Sequence, residues 1–191
     1  MQLFAKRGFF ETTTEDITEA ADVGQGTFFN YFPTKQHVLL VLPEKQLAKV
    51  AAAVEEAKSG GSVRTALHRL IHAAAEEPGR TAPLTRSLIT ALITSDMARE
   101  FISARMAQGR KMISELFVIG QQRGEIRRDH EPADLAMNLQ RNFWGTMLIW
   151  ALQSKGDLHA WLDKTFEDFW AAAEDRRDKS NARRKGELAS V

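Results

Sequence analysis

The sequence predicts an all-α protein, and three observations carry that reading. Proline is scarce, at 5 of 191 residues, while Ala, Leu, Glu, Lys and Arg recur throughout; these are strong helix formers. Apolar residues return at three- and four-residue spacing from Lys35 almost to the end, the period of a helix face. No strand–helix alternation interrupts that pattern. The expected architecture is a three-helix helix-turn-helix module over residues 1–45, a helical bundle over 46–175 and a disordered tail over 176–191.

Bulk properties remove several function classes. No run reaches the roughly 18 apolar residues of a membrane span, and the N-terminus lacks a secretory pattern. Zero Cys removes disulfides, thiol nucleophiles and thiolate zinc sites. A cytoplasmic protein with no membrane partner is expected. There is no Gly-rich phosphate loop, G-x-S-x-G elbow or H-E-x-x-H pair, so neither an enzyme nor a bound cofactor is expected.

Element by element, Leu3, Phe4 and Arg7 fit the last turns of a first helix, and Gly8 suits the position after it, where positive φ is cheap. Thr13 followed by Asp16 is a capping pair for a second helix. Ile17, Ala20 and Ala21 should form its buried face, and Asp22-Val23-Gly24 a turn with Val23 inward. The third helix should run from Gln25 to Tyr31, with Phe28 and Phe32 four apart on the core side. Pro33 ends it and Thr34 caps the next helix.

With Phe28 and Phe32 inside, the outward set is Gln25, Thr27, Phe29, Asn30 and Tyr31. Short polar and aromatic groups at such a helix suit a DNA major groove: Gln can pair adenine in bidentate fashion and a Thr methyl can touch thymine. Thr13 and Lys35 suit phosphates. Residues 1–45 nevertheless carry net −2, four cations against six carboxylates, whereas a DNA-binding module usually has a basic footprint.

The run Leu3-Phe4-Ala5-Lys6-Arg7-Gly8-Phe9, the Thr13-to-Val23 segment and Gly26-Thr27-Phe28-Phe29-Asn30-Tyr31-Phe32-Pro33-Thr34-Lys35 closely resemble the N-terminal domain of TetR-family transcriptional regulators. The resemblance implies DNA contacts from Thr13, Gln25, Thr27, Tyr31 and Lys35. It implies a homodimer on a palindromic double-stranded operator, usually a repressor released by a small apolar effector. Three features depart from the family. Phe29 stands where Tyr is usual, Gln25 where Lys is frequent, and Met1 falls inside a first helix that normally begins earlier.

In the body, Val38, Leu39, Leu42, Leu47, Val50 and Val54 mark a fourth helix ending near Lys58. Pro43 should kink or split it where head and body join, a natural place for a hinge. Further helices are expected from Ser62, over Pro83 to Thr94, from Ser95 or Asp96 to Arg123, from Glu131 to Ser154, and from Asp157 to Asp175. The last two are rich in apolar and aromatic residues, and Leu135 to Leu152 is apolar nearly all round. That demands burial on more than one side; the resembled family supplies it by pairing these helices with their copies, and Gly145 would allow close approach.

Gln140, Arg141 and Asn142 interrupt this apolar helix; they either line an effector pocket or hydrogen-bond within the dimer interface. The candidate pocket residues are Arg86, Met137, Arg141 and Trp144. His68, His72 and Glu76 recur at four-residue steps, but with no third ligand set in view they read as half-exposed polar residues, and no metal site is expected. The rival to the regulatory reading is a helical ligand- or protein-binding module whose helix-turn-helix is degenerate.

Overall fold

A computed structural model of the chain describes residues 2–174. The tail expected over 176–191 and the side chain of Leu42 lie outside the described residues. Among the described residues every regular element is helical. The helices are α1 (Gln2–Arg7), α2 (Thr14–Ala20), α3 (Gln25–Tyr31), α4 (Val41–Lys58), α5 (Val63–Ala75), α6 (Ala82–Thr94), α7 (Asp96–Arg123), α8 (Pro132–Gln153) and α9 (Leu158–Ala173). A 3₁₀ segment over Lys35–Leu40 joins α3 to α4.

Local chemistry sets most boundaries. Gly8 ends α1 at φ 88°, a left-handed conformation that costs glycine little. Thr13 caps α2 in a full capping box with Asp16. Ser62, Thr81, Ser95 and Asp157 cap α5, α6, α7 and α9 through their side chains, each satisfying an otherwise orphaned N–H. Pro43 splits the expected fourth helix: the 3₁₀ segment ends at Leu40 and α4 opens at Val41, leaving Pro43 in a first turn whose backbone nitrogens need no partner.

The main core joins α4, α5, α7, α8 and α9, with Leu67, Phe117, Met147, Leu162 and Phe166 fully enclosed. Burying each such side chain is worth about 1.5–3 kcal/mol. Gly120 lets α7 meet the following loop, since a Cβ there would lie 2.5 Å from the Ile126 side chain. Arg127 then donates its backbone N–H to Ala173 O at 3.0 Å, tying that loop to the end of α9.

A second, smaller core seats the head on the body. Phe4, Phe9 and Leu39 pack with Leu84, Leu88 and Ala91 of α6. The expected face of α2 is corrected here. Thr18 is its buried residue and Ile17 is half-buried, whereas Ala20 and Ala21 are exposed and Val23 is 40% exposed. Helix α2 packs on α3, and α1 is six residues long and sits against α6, so nothing described covers the α2–α3 turn. That turn is made by Asp22 at φ 53°, a conformation Asp tolerates better than most residues.

Candidate functional site

The head's outer surface is built on two anchors. Phe28 is buried and packs against Phe32 with the rings tilted, centres 5.5 Å apart. That fixes the roll of α3, and Gln25, Thr27, Phe29, Asn30 and Tyr31 all face solvent. Tyr31 is 76% exposed, a large amphipathic ring held out toward solvent. Gln25 donates to Glu15 Oε1 at 3.2 Å, so a groove contact by Gln25 must displace a carboxylate.

The second anchor is the start of α2. Thr13 Oγ1 accepts from Asp16 N at 3.0 Å, and Asp16 Oδ2 accepts from Thr13 N at 2.8 Å. Arg7 of α1 pairs with the same carboxylate. The backbone and side-chain bonds from Thr13, with Arg7 beside them, hold the Asp16 carboxyl below its ordinary value.

Lys35 differs from its expected role. Its ammonium donates to the carbonyls of Phe9, Phe10 and Thr12 at 2.8, 3.2 and 2.9 Å and lies 4.7 Å from the Phe9 ring centre. An ammonium has three N–H donors, and these carbonyls engage all three. Burial lowers the pKa of this amine. Lys35 clasps the α1–α2 connection to the 3₁₀ segment.

In the body, α4, α5, α6, α7 and α8 enclose a cavity of about 190 Å³. Its wall is almost wholly apolar, with Leu47, Val50, Leu70, Leu88, Ile102 and Trp144 among its residues. The polar exceptions are Thr85, Gln46, Arg105 and Gln140. Gln140 is partnered at both amide atoms, accepting from Arg110 Nη1 at 2.8 Å and donating to Met106 O at 3.2 Å. Gln46 is not: both its amide atoms are buried without a partner, as is Arg105 Nε. Arg105 reaches Glu44 through Nη2 at 2.7 Å, linking α7 to the first turn of α4. An unpaired buried amide costs about 1–3 kcal/mol, so these atoms ask for a ligand or water.

Of the four expected pocket residues, Trp144 lines the cavity and three do not. Arg86 caps the end of α8, donating to Ala151 O and Ser154 Oγ at 2.6 Å each. Arg141 lies on the exposed face and reaches Asn138, while Met137 is half-buried away from the wall. The reason is helical phase: Leu139, Gln140, Phe143, Trp144 and Met147 share one face of α8, and residues 137 and 141 fall beyond its edge. Gln46 and Arg105 were missed because no periodicity in either helix signals that α4 and α7 meet there.

Two wall residues belong to both regions. Leu39 and Leu88 line the cavity and also pack in the small core that seats Phe4 and Phe9. Whatever fills the cavity therefore touches the head's own footing.

Among the described residues nothing covers the far side of α8. Leu148, Ile149 and Leu152 are exposed, Leu152 by 63%, and with Asn138, Arg141, Asn142 and Gly145 they form one stripe. Helix α9, by contrast, is apolar on one side only: Leu158, Leu162, Phe166, Phe169 and Trp170 are buried, while Asp163, Lys164, Glu167 and Asp168 face outward. The polar run of α8 divides, with Gln140 in the cavity wall and Arg141 and Asn142 on the stripe. Glu76 turns away from His68 and His72 to pair with Lys49 at 2.9 Å.

Comparison with known proteins agrees with this layout. Residues 1–42 match the family described as bacterial regulatory proteins, tetR family. The chain is 26% identical over 184 residues to the HTH-type transcriptional repressor DhaR of Mycobacterium sp. (strain GP1), covering 94% of this chain and 92% of that protein. It is 23% identical over 130 residues to the HTH-type transcriptional repressor KstR of Mycobacterium tuberculosis (strain ATCC 25618 / H37Rv), covering 68% and 58%. The crystal structure of Thermus thermophilus FadR, a TetR-family transcriptional repressor in complex with lauroyl-CoA, superposes with a TM-score of 0.64. It is 27% identical, over 88% of each chain.

Proposed function

We propose that this chain, similar over residues 1–42 to the tetR family of bacterial regulatory proteins and along most of its length to DhaR and FadR, represses transcription as a homodimer released from a palindromic operator by a small, mostly apolar effector. Residues 1–45 are the DNA-binding head and 46–175 the effector-binding and dimerisation body. It works in the cytoplasm, where its operator is, and performs no catalysis. Gln25, Thr27 and Asn30 read base edges, Phe29 and Tyr31 pack along the groove, and Thr13 meets a phosphate. Lys35 adds positive potential while its three carbonyl bonds hold the head in its binding pose.

The stripe of α8 centred on Gly145, Leu148, Ile149 and Leu152 is the self-association face. Two copies joined there present two recognition helices to half-sites about one DNA turn, roughly 34–36 Å, apart.

The observation that carries the regulatory reading is the shared wall: Leu39 and Leu88 border the cavity and the head's seat at once. At about 190 Å³ the cavity is smaller than the roughly 300–1,000 Å³ of typical ligand pockets. An entering ligand must spread α4 from its neighbours, and that displacement shifts the population away from the DNA-binding pose. The free donors on Gln46 and Arg105 favour an effector with a carbonyl or carboxylate at one end. The lauroyl-CoA held by Thermus thermophilus FadR supports an apolar chain with such a group.

The test is a selection of bound genomic fragments by the full chain, followed by competition with saturated fatty acids and their CoA thioesters of graded length. Selected fragments should share one palindrome, and one range of chain length should release them. Enrichment of no sequence, or release by none of the compounds, contradicts the operator and effector assignments respectively.

A further inference from the structure

The seam between α5 and α9 carries a side-chain cluster that DNA and effector binding leave unused. His68 and His72, one turn apart on α5, both direct Nε2 at the same oxygen of Asp163 on α9, at 2.9 and 2.8 Å. The three donor atoms lie within 4.8 Å of one another. The other ring nitrogen of His72 is 2.8 Å from Nδ1 of His159, and the two rings stack within 8° of parallel. Phe166 closes one side, its ring edge-on to His68 at 5.0 Å.

We propose that His68, His72 and Asp163 bind one divalent transition-metal cation of the zinc class, with His159 as the outer partner that orients His72. Two imidazoles at i and i+4 share a helix face, and a carboxylate from a facing helix completes a two-His, one-carboxylate set that leaves a position for water. Tetrahedral zinc with bonds of about 2.0–2.1 Å sets its ligand atoms roughly 3.3 Å apart. The two His–Asp163 spacings need to open by about half an ångström, and the two imidazole nitrogens, within 4.8 Å of each other, need to close by at most about 1.5 Å, within reach of side-chain rotation. A ligating imidazole characteristically donates its second N–H to a nearby acceptor, the relation of His72 Nδ1 to His159 Nδ1. The sequence alone offers two histidines on α5; Asp163 and His159 join them only through the packing of α5 against α9. Bound metal would pin α5, which supplies Leu70 and Ile71 to the cavity wall, to α9.

The experiment uses the full chain with any affinity tag removed, stripped with EDTA and titrated with Co²⁺ and then Zn²⁺. One Co²⁺ per chain should bind with the visible absorption of a low-coordinate nitrogen–oxygen site and be displaced by Zn²⁺. His72→Gln and Asp163→Asn should each weaken binding about a hundredfold, and His159→Gln about tenfold, with helical circular dichroism retained. His130→Gln, on the exposed loop before α8, should change nothing. If a substitution costs helicity, the imidazole ¹⁵N shifts of the unaltered chain decide. Zn²⁺ must move Nε2 of His68 and His72, and unmoved shifts overturn the proposal. So does absence of the cobalt band, or unchanged affinity in a His68→Gln/His72→Gln double variant; the cluster is then a hydrogen-bonded histidine pair and nothing more.

Discussion

Head and body are held by different means, and the contrast bears on how a regulator can switch. The body closes over Leu67, Phe117, Leu162 and Phe166, drawn from three helices. The head consists of helices of six and seven residues, too short to be stable alone. It is kept in place by Phe28, by the Thr13–Asp16 box, by the Lys35 clasp and by a small patch on α6. A rigid body and a lightly seated head can be uncoupled by small displacements at their junction, where Leu39 sits.

Several substitutions should break or sharpen this contrast, from the largest effect downward. Phe166→Ala should destabilise the whole chain by about 3–5 kcal/mol, measured by denaturant unfolding. Phe28→Ala should leave the body's unfolding transition nearly in place yet abolish operator binding; an equal loss in both would mean head and body unfold as one unit. Leu152→Glu on the exposed stripe of α8 should convert dimer to monomer in sedimentation velocity, with operator binding lost and helicity kept. Lys35→Met leaves three carbonyls without their donor. It should weaken binding to every DNA sequence alike and speed amide exchange in α2 and α3. Gln25→Ala should cost about 1–3 kcal/mol of discrimination at one base pair only, read from a mismatched-operator series.

The smallest effect concerns pH. Asp16 titrates below its ordinary value of 3.8 in the folded head, through its bonds from Thr13 and the nearby Arg7. The stabilisation is therefore complete above the unfolded value and is lost as pH falls through the folded one. Amide exchange at the start of α2 should rise on acidification below about pH 4, and Asp16→Asn should remove that dependence.

The legible parts of this molecule were the ones fixed by neighbours in sequence. Gly8, the Thr13–Asp16 box, the outward set of α3 and the ends of α5 to α9 follow from capping, helix phase and backbone conformation within a few residues. Ala20, Ala21 and Val23 looked like core because small or apolar residues at helical spacing usually are; their exposure depends on what packs against the α2–α3 turn. Arg86, Met137 and Arg141 were placed by residue type, whereas the cavity wall is decided by which face of α8 meets α6 and α7, and Arg86 of α6 is drawn off to the end of α8. Gln46, Arg105 and the Leu39–Leu88 junction rest on contacts between distant helices, which spacing within one helix does not encode.

The coupling of cavity to head is best tested by operator affinity with and without the active acyl compound, in the unaltered chain and in Leu39→Ala, with calorimetry confirming that both bind it. The compound should lower operator affinity at least tenfold in the unaltered chain, about 1.4 kcal/mol, and change it little in the variant. Full occupancy of the cavity with unchanged operator affinity in the unaltered chain would contradict the account.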